Sequence, residues 1–494
     1  MKKFICGIIA LLTFSMALSL NTYAASEMNY SLSNDGKRVM TPLSYSCDTV
    51  IAYLGEKGGT FIDSSDIFID REDNIYITNT AKNRIIKLDK NGNYLRDFTN
   101  NGNLNGPQSV FVCDNSDIFI SDTGNKRIVH INQNDEEIEV FVKPESTALS
   151  DTTDFLVNHL AVSDQGLIYV VQSQQFMTID ANNEFKGYVG ANKVGFNLKE
   201  FFVRTFGSEI QKIKMQFSQA STYNSFDIGE DGLIYAVAND TVNQIRILNI
   251  DGDNLFPNGS YGENNIDGGT ADSQTSIFTD ISADENGIIY ALDRNSGRVY
   301  VYTSEGDSLV VFGGLGNICG KFQLPVALDH NSKGEIFVLD SAAGAIHKFT
   351  PTSYMNNIKS AYTLFKDGEY EKSFEVCNSI LAVNSNSSFT NTLIGRIEYK
   401  KKNYEVAMDY FKRADNKEQY AKAFSEARHD IFRAYFAWII LAVLIIITAV
   451  FILIGFLRKK SNAFVNSYYS GDKERCFSKC YCLYYTILLT AWKS

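Results

Sequence analysis

The chain is 494 residues long with a formal net charge of −11, and this acidity excludes the basic face that a nucleic-acid partner requires. Tyr (27) and Phe (34) are abundant and Pro (6) is scarce, a balance suited to a strand-rich domain with Gly, Asn and Asp turns. Two apolar segments, one at each end, assign the rest of the chain to a side of a membrane.

At the start, Met1-Lys2-Lys3 is a short positive run, residues 5–20 are apolar, and Thr22-Tyr23-Ala24 supplies small residues where a signal peptidase reads. The expected signal peptide is 1–24, with cleavage after Ala24 or Ala25. Export of everything that follows is the consequence. Cys6 lies too early for a lipoprotein cleavage site. Cys47, Cys113, Cys319 and Cys377 are scattered without a tight framework, so no disulfide is expected among them.

Over residues 48–350 a unit recurs six times: a strand, a polar turn, then Ile followed by Tyr or Phe opening a second strand. The markers are Ile75-Tyr76, Ile118-Phe119, Ile168-Tyr169, Ile234-Tyr235, Ile289-Tyr290 and Ile336-Phe337. The turns before them include Glu72-Asp73-Asn74, Asp164-Gln165-Gly166 and Glu285-Asn286-Gly287, residues that accept positive φ at little cost. Flanking segments alternate apolar with polar, the period of strands with one buried face. In several units a further polar turn leads to Arg or Lys and a third strand, as in Asn79…Asn83-Arg84-Ile85, Asp122-Thr123-Gly124-Asn125-Lys126-Arg127-Ile128 and Asp293…Gly297-Arg298-Val299.

These units resemble the NHL repeat. Units 1, 2 and 5 match well. Unit 3 lacks the Arg at the Gln172 turn, unit 4 is irregular at Asn239-Asp240, and unit 6 has Ala345 in place of the Arg. The resemblance implies a six-bladed β-propeller, a fold that serves both enzymes and binding modules. Each small sheet buries its faces only against neighbours, so the array must close. Residues 49–54 form a strand without a blade of its own and are expected to complete the last one. Two connections are long, 184–224 and 256–274; the first carries Leu198, Phe201, Phe202, Ile210 and Ile213 at helical spacing. Loops of this size on a rigid scaffold are common places for ligands.

From 354 to 430 the period turns helical. Tyr370-Glu371-Lys372-Ser373-Phe374 and Tyr404-Glu405-Val406-Ala407-Met408 stand thirty-four residues apart, Cys377 answers to Phe411 and Ile380 to Ala414, and Gly395 precedes the second unit. This resembles a pair of tetratricopeptide repeats. Two repeats make a poor groove, so a spacer is the expected role, packed on the propeller or on a third helix at 418–433.

Residues 434–457 carry no charge and, at about 1.5 Å per residue, span a hydrocarbon core of roughly 30 Å. Tyr435 and Trp438 sit near one boundary and Arg458-Lys459-Lys460 close the other. The signal segment sets the expected orientation, with the propeller outside the cell membrane and the short tail 458–494 in the cytoplasm. In that tail Cys476, Cys480 and Cys482 lack a fourth zinc ligand. The order of these parts resembles bacterial surface proteins in which an NHL propeller, tetratricopeptide helices and a membrane segment lead into a Yip-type domain. That resemblance implies an association with carbohydrate-uptake systems.

Two function classes remain. The first is an extracytoplasmic recognition module for a saccharide or a protein. The second is a metal-dependent hydrolase or lyase resembling the gluconolactonase and streptogramin-lyase propellers. No Gly-x-Ser-x-Gly or His-Glu-x-x-His is present, which favours recognition. Among the five His, His130 and His347 follow the Arg-type turn, His330 belongs to a turn and His429 lies outside the propeller.

Nine residues before each Ile marker stand Asp66, Ser109, His159, Ser225, Asp280 and Ala327. These should ring one mouth of the central channel. Asp66, Ser109, His159, Ser225 and Asp280 form the expected ligand set, and Asp66, His159 and Asp280, on alternate blades, the set able to hold a divalent cation. A slip of one residue would replace them by Ser65, Gln108, Asn158, Asn224, Thr279 and Val326, which make no strong metal site.

Overall fold

The computed structural model describes residues 29–146, 149, 154–189, 222–263 and 276–469. The expected signal peptide, the helical stretch at 197–214 and the cysteine-bearing tail lie outside these residues.

The recurring turn is built by its first side chain. Asp70 Oδ1 accepts from the N–H groups of Glu72 and Asn74 at 2.9 and 2.8 Å, and its Oδ2 accepts from Tyr76 Oη at 3.1 Å. Asp284 repeats this with Asn286, Ile288 and Tyr290, and Asp231 receives the hydroxyl of Tyr235. The carboxylate thus satisfies turn donors that have no strand partner, and the Tyr of the Ile-Tyr marker pins the next strand to the same group.

Each unit forms one antiparallel sheet, and six sheets surround a channel. Their inner strands are Asp66–Ile69, Ser109–Val112, Val157–Val162, Tyr223–Ile228, Phe278–Ala283 and Pro325–His330. Each inner strand lies beside the next, and that of blade 6 returns to that of blade 1. The second strands, such as Ile75–Asn79 and Ile289–Asp293, are buried along their whole length. The expectation of a single buried face fails here because neighbouring blades cover both sides of a sheet. Blade 4 shows three strands among the described residues.

Closure uses the N-terminal end of the domain. Strand β3 (Tyr45–Ile51) pairs antiparallel with Ala345–Pro351, from Tyr45 opposite Pro351 to Ile51 opposite Ile346. The strand begins four residues earlier than 49–54. Tyr45 is its anchor, fully buried and stacked on Phe312 of blade 5 at 4.6 Å, while Leu54 already packs with blade 1. Cys47 of β3 is joined by a disulfide to Cys319 in the linker between blades 5 and 6. The expectation of no disulfide is overturned, because ring closure brings together two residues 272 apart in sequence.

An N-terminal hairpin not foreseen from the repeat, β1 (Tyr30–Leu32) and β2 (Arg38–Met40), extends blade 5 to six strands. Glu263 holds it: one carboxylate receives Tyr30 Oη (2.8 Å), Arg38 Nη2 (2.6 Å) and Arg298 Nη1 (2.9 Å). Arg298 is one of the repeat's arginines. In blades 1 and 2 the equivalent Arg84 and Arg127 bind Asp97 and Asp122.

Beyond the propeller, helices α1 (Ser353–Lys366), α2 (Tyr370–Val383), α3 (Ser388–Lys400) and α4 (Tyr404–Arg413) share a core with blades 5 and 6. Thr352 caps α1, and Met355, Ile358 and Tyr362 pack with Leu328 and Phe349. Polar ties reinforce this: Lys359 to Asp284 at 3.4 Å, Lys366 to the Asn286 carbonyl at 2.8 Å, and Arg396 to Asp307 at 2.7 Å. Gly395 has no room for a side chain, since a Cβ there would lie 2.6 Å from the Phe411 ring.

Helix α5 (Lys417–Tyr469) runs for 53 residues and contains a window of mean hydropathy 3.3, long and apolar enough to cross a membrane. It forms most of a second unit, from Glu418 onward.

Removing the Cys47–Cys319 link frees the closing strand, at a cost of about 4–5 kcal/mol for so long a loop. Reductant is therefore expected to lower the melting temperature of the parent and leave a Cys47→Ser, Cys319→Ser variant unmoved. Equal melting of parent and variant without reductant would show that closure does not depend on the link.

Candidate ligand channel

The inner strand of a propeller blade has an outer neighbour and, on the channel side, an open edge. Backbone N–H groups on that edge require acceptors. The sequence-predicted residues are where those acceptors are found.

All six occupy equivalent positions. Asp66, Ser109, His159, Ser225, Asp280 and Ala327 lie opposite Thr78, Ser121, Val171, Val237, Leu292 and Leu339, each three residues after its Ile marker. The one-residue slip is thereby excluded. In blades 3 to 6 the residues of that shifted set, Asn158, Asn224, Thr279 and Val326, sit at a register irregularity, and a bulge of this kind re-aims the following side chain.

Each side chain of this upper tier reaches the next blade. Asp66 Oδ2 accepts from Val110 N at 3.1 Å, and Asp280 Oδ2 accepts from Leu328 N at 2.7 Å. Ser225 Oγ donates to Asp280 Oδ1 at 2.6 Å. His159 Nε2 meets the Phe226 carbonyl at 2.9 Å, which fixes Nε2 as the protonated nitrogen, and Ser109 Oγ lies 3.4 Å from His159 Nδ1. Ala327 contributes no polar group. Asp66 and Asp280 are each 5% exposed.

The tier therefore exists as a band of inter-blade staples. Asp66, His159 and Asp280 do not come together as a metal site: among the described residues no group of three His, Cys, Asp or Glu side chains is placed to hold a metal ion. Their polar atoms are directed at backbone groups across blade boundaries.

Two residues further along each inner strand is a lower tier that sequence reasoning missed. Its members are Phe68, Phe111, Ala161, Asp227, Ser282 and Asp329. Asp227 Oδ2 accepts from Ala283 N at 2.9 Å and Asp329 Oδ2 from Ile69 N at 2.7 Å, repeating the staple. Ser282 Oγ lies 2.9 Å from Asp329 Oδ1 and 2.8 Å from His330 Nδ1. His330 belongs to the inner strand of blade 6 and not to a turn. On the other side, the rings of Phe68 and Phe111 stand 5.0 Å apart. The i, i+2 relation to the upper tier was the available signal.

Burial, with the charge of Asp66 second, holds the Asp280 carboxyl well above its ordinary range. Burial likewise raises Asp66, against the opposing effect of His159. Asp227 is raised by burial and then by Asp329. Burial pulls the His330 imidazole down, but the hydrogen bond and charge of Asp329, with Asp284 and Asp227, outweigh it and raise it.

No protein-family model matches the sequence, and a search of curated proteins found no match. Among solved structures, similarity extends to a streptogramin B lyase at 13% identity, covering 65% of this chain and 86% of that one with a TM-score of 0.38. A catalytically inactive virginiamycin B lyase from Staphylococcus aureus with quinupristin gives 14%, 65%, 87% and 0.40. The WD40 propeller domain of Doa1 gives 13%, 64%, 99% and 0.39. These likenesses concern the propeller fold alone.

Because the folded state binds protons at Asp66 and Asp280 more tightly than the unfolded chain, their contribution to stability is complete below about pH 4 and declines as pH rises through the raised values. Asp280→Asn keeps an acceptor for Leu328 N without the charge. Its melting temperature relative to the parent is expected to climb between pH 5 and pH 8. A pH-independent difference would show that burial does not penalise charge at position 280.

Proposed function

We propose that the chain is a membrane-anchored recognition module whose propeller works outside the cytoplasm and binds a saccharide or protein ligand. The observation that carries the location is the Cys47–Cys319 disulfide, since such links persist in oxidising compartments. The signal-like start and the apolar helix α5 are consistent with export and single-pass anchoring, with the propeller extracytoplasmic and the C-terminus cytoplasmic.

Recognition is preferred to catalysis because the channel acids of the upper tier are engaged in stapling blades. The hydrolase or lyase alternative drew on Asp66, His159 and Asp280 as metal ligands, and that support is gone. The repeat's Asp turns and tethered arginines favour the NHL assignment, and the thirty-four-residue offset favours the tetratricopeptide one. In this reading the paired helices are a brace and not a peptide groove. Helix α3 supports it: most of its residues are buried, from Ser388 to Ile394 without a break, and its Arg396 is spent on Asp307 of the propeller. Service to a carbohydrate-uptake system follows from the same domain order and is part of the proposal.

The topology is tested by external protease on intact cells producing the chain with a C-terminal tag. Loss of the propeller with retention of a tagged α5 fragment is the expected result. Removal of the tag from outside, or a propeller protected until lysis, would sink the orientation.

A further inference from the structure

The upper tier is closed to ligands by its own bonding, and the lower tier differs from it in three respects. Its carboxylates are more open: Asp227 and Asp329 are half-buried, against 5% exposure for Asp66 and Asp280. Its residues divide by character around the ring. Blades 4, 5 and 6 contribute Asp227, Ser282 and Asp329, and blades 1 and 2 contribute Phe68 and Phe111. Blade 3 contributes Ala161, the smallest side chain of the tier.

Phe68 and Phe111 are the informative pair. They sit on innermost strands at the centre of the fold, yet both remain half-buried, where the Ile residues flanking Phe68 are buried. The open edge of an inner strand faces the channel, so the exposed part of each ring faces it too. Asp329 adjoins this aromatic side directly, through its bond to Ile69 N next to Phe68. Asp227 and Asp329 sense each other's charge, and the imidazole of His330 is the cationic side chain that acts on Asp227. Lys359 is turned to Asp284 instead. A tier with two carboxylates on one side and two aromatic faces on the other is complementary to a cation carrying apolar substituents: carboxylates attract the charge and aromatic faces accept the remainder by cation–π contact.

We propose that the lower tier of the channel, Asp227 and Asp329 facing Phe68 and Phe111, is a binding site for an organic ammonium group. This rests on the reading of the propeller as a binding module and names the chemistry of its ligand. The group can come from a free quaternary amine or from the amine of a sugar, and the test separates these sources.

Titration calorimetry on the full chain in a non-ionic detergent would use choline, glucosamine and, as the neutral control, glucose. Asp227→Asn keeps an acceptor for Ala283 N, and Phe111→Leu removes the aromatic face while keeping apolar bulk, so neither variant depends on breaking a staple. Binding of choline or glucosamine, weakened about tenfold or more in both variants, is expected. Choline alone identifies a free-amine site, glucosamine alone an amino-sugar site. No heat from either ammonium compound overturns the inference, as does binding that both variants leave unchanged. Glucose binding as well as glucosamine also overturns it, while leaving saccharide recognition by the propeller intact.

Discussion

A β-sheet wrapped into a blade and set radially leaves one strand edge facing the axis, and unpaired N–H groups along that edge must find acceptors. In this protein the answer is a carboxylate from the preceding blade. Asp66 serves Val110, Asp227 serves Ala283, Asp280 serves Leu328 and Asp329 serves Ile69. His159 offers the complementary solution, a donor for the Phe226 carbonyl. The polar character of the channel, the spacing of the blades and the raised proton affinity of its acids all descend from this requirement.

The same economy shapes the outer parts. A turn carboxylate such as Asp70 or Asp284 satisfies the backbone and holds the marker Tyr at once. Glu263 ties the N-terminal hairpin, a linker and the third strand of blade 5 with one group. Buried charge is costly unless fully bonded, and these carboxylates are bonded through both oxygens.

The repeat was legible because turn chemistry and the Ile-Tyr marker are local. The inner-strand residues were legible for the same reason: a fixed offset from Ile75, Ile118 and their equivalents finds Asp66 and Ser109 without knowledge of the fold. What those residues do was not legible, because the partner of Asp66 is a backbone N–H 44 positions away and main-chain groups leave no trace in a sequence. The disulfide escaped for a related reason. Cys47 and Cys319 meet through ring closure, and the starting point of β3 was itself misplaced by four residues. The hairpin at 30–40 belongs to no repeat, so no periodicity announced it. The arginines of the repeat were visible, whereas Glu263, the group one of them serves, lies in an irregular linker.

The closing strand also imposes an order on the birth of the molecule. Residues 45–51 leave the ribosome about three hundred residues before 345–351, the segment they must pair with. During that interval the strand has no blade to join, and its edge and the apolar Tyr45 are open to any other strand nearby. Blades 1 to 5 can each collapse on local contacts, but the last is a joint venture between the two ends of the domain. The polar, interrupted composition around it (Ser44, Ser46, Asp48 and Thr49) suits a segment that must wait, soluble and unpaired, until its partner arrives.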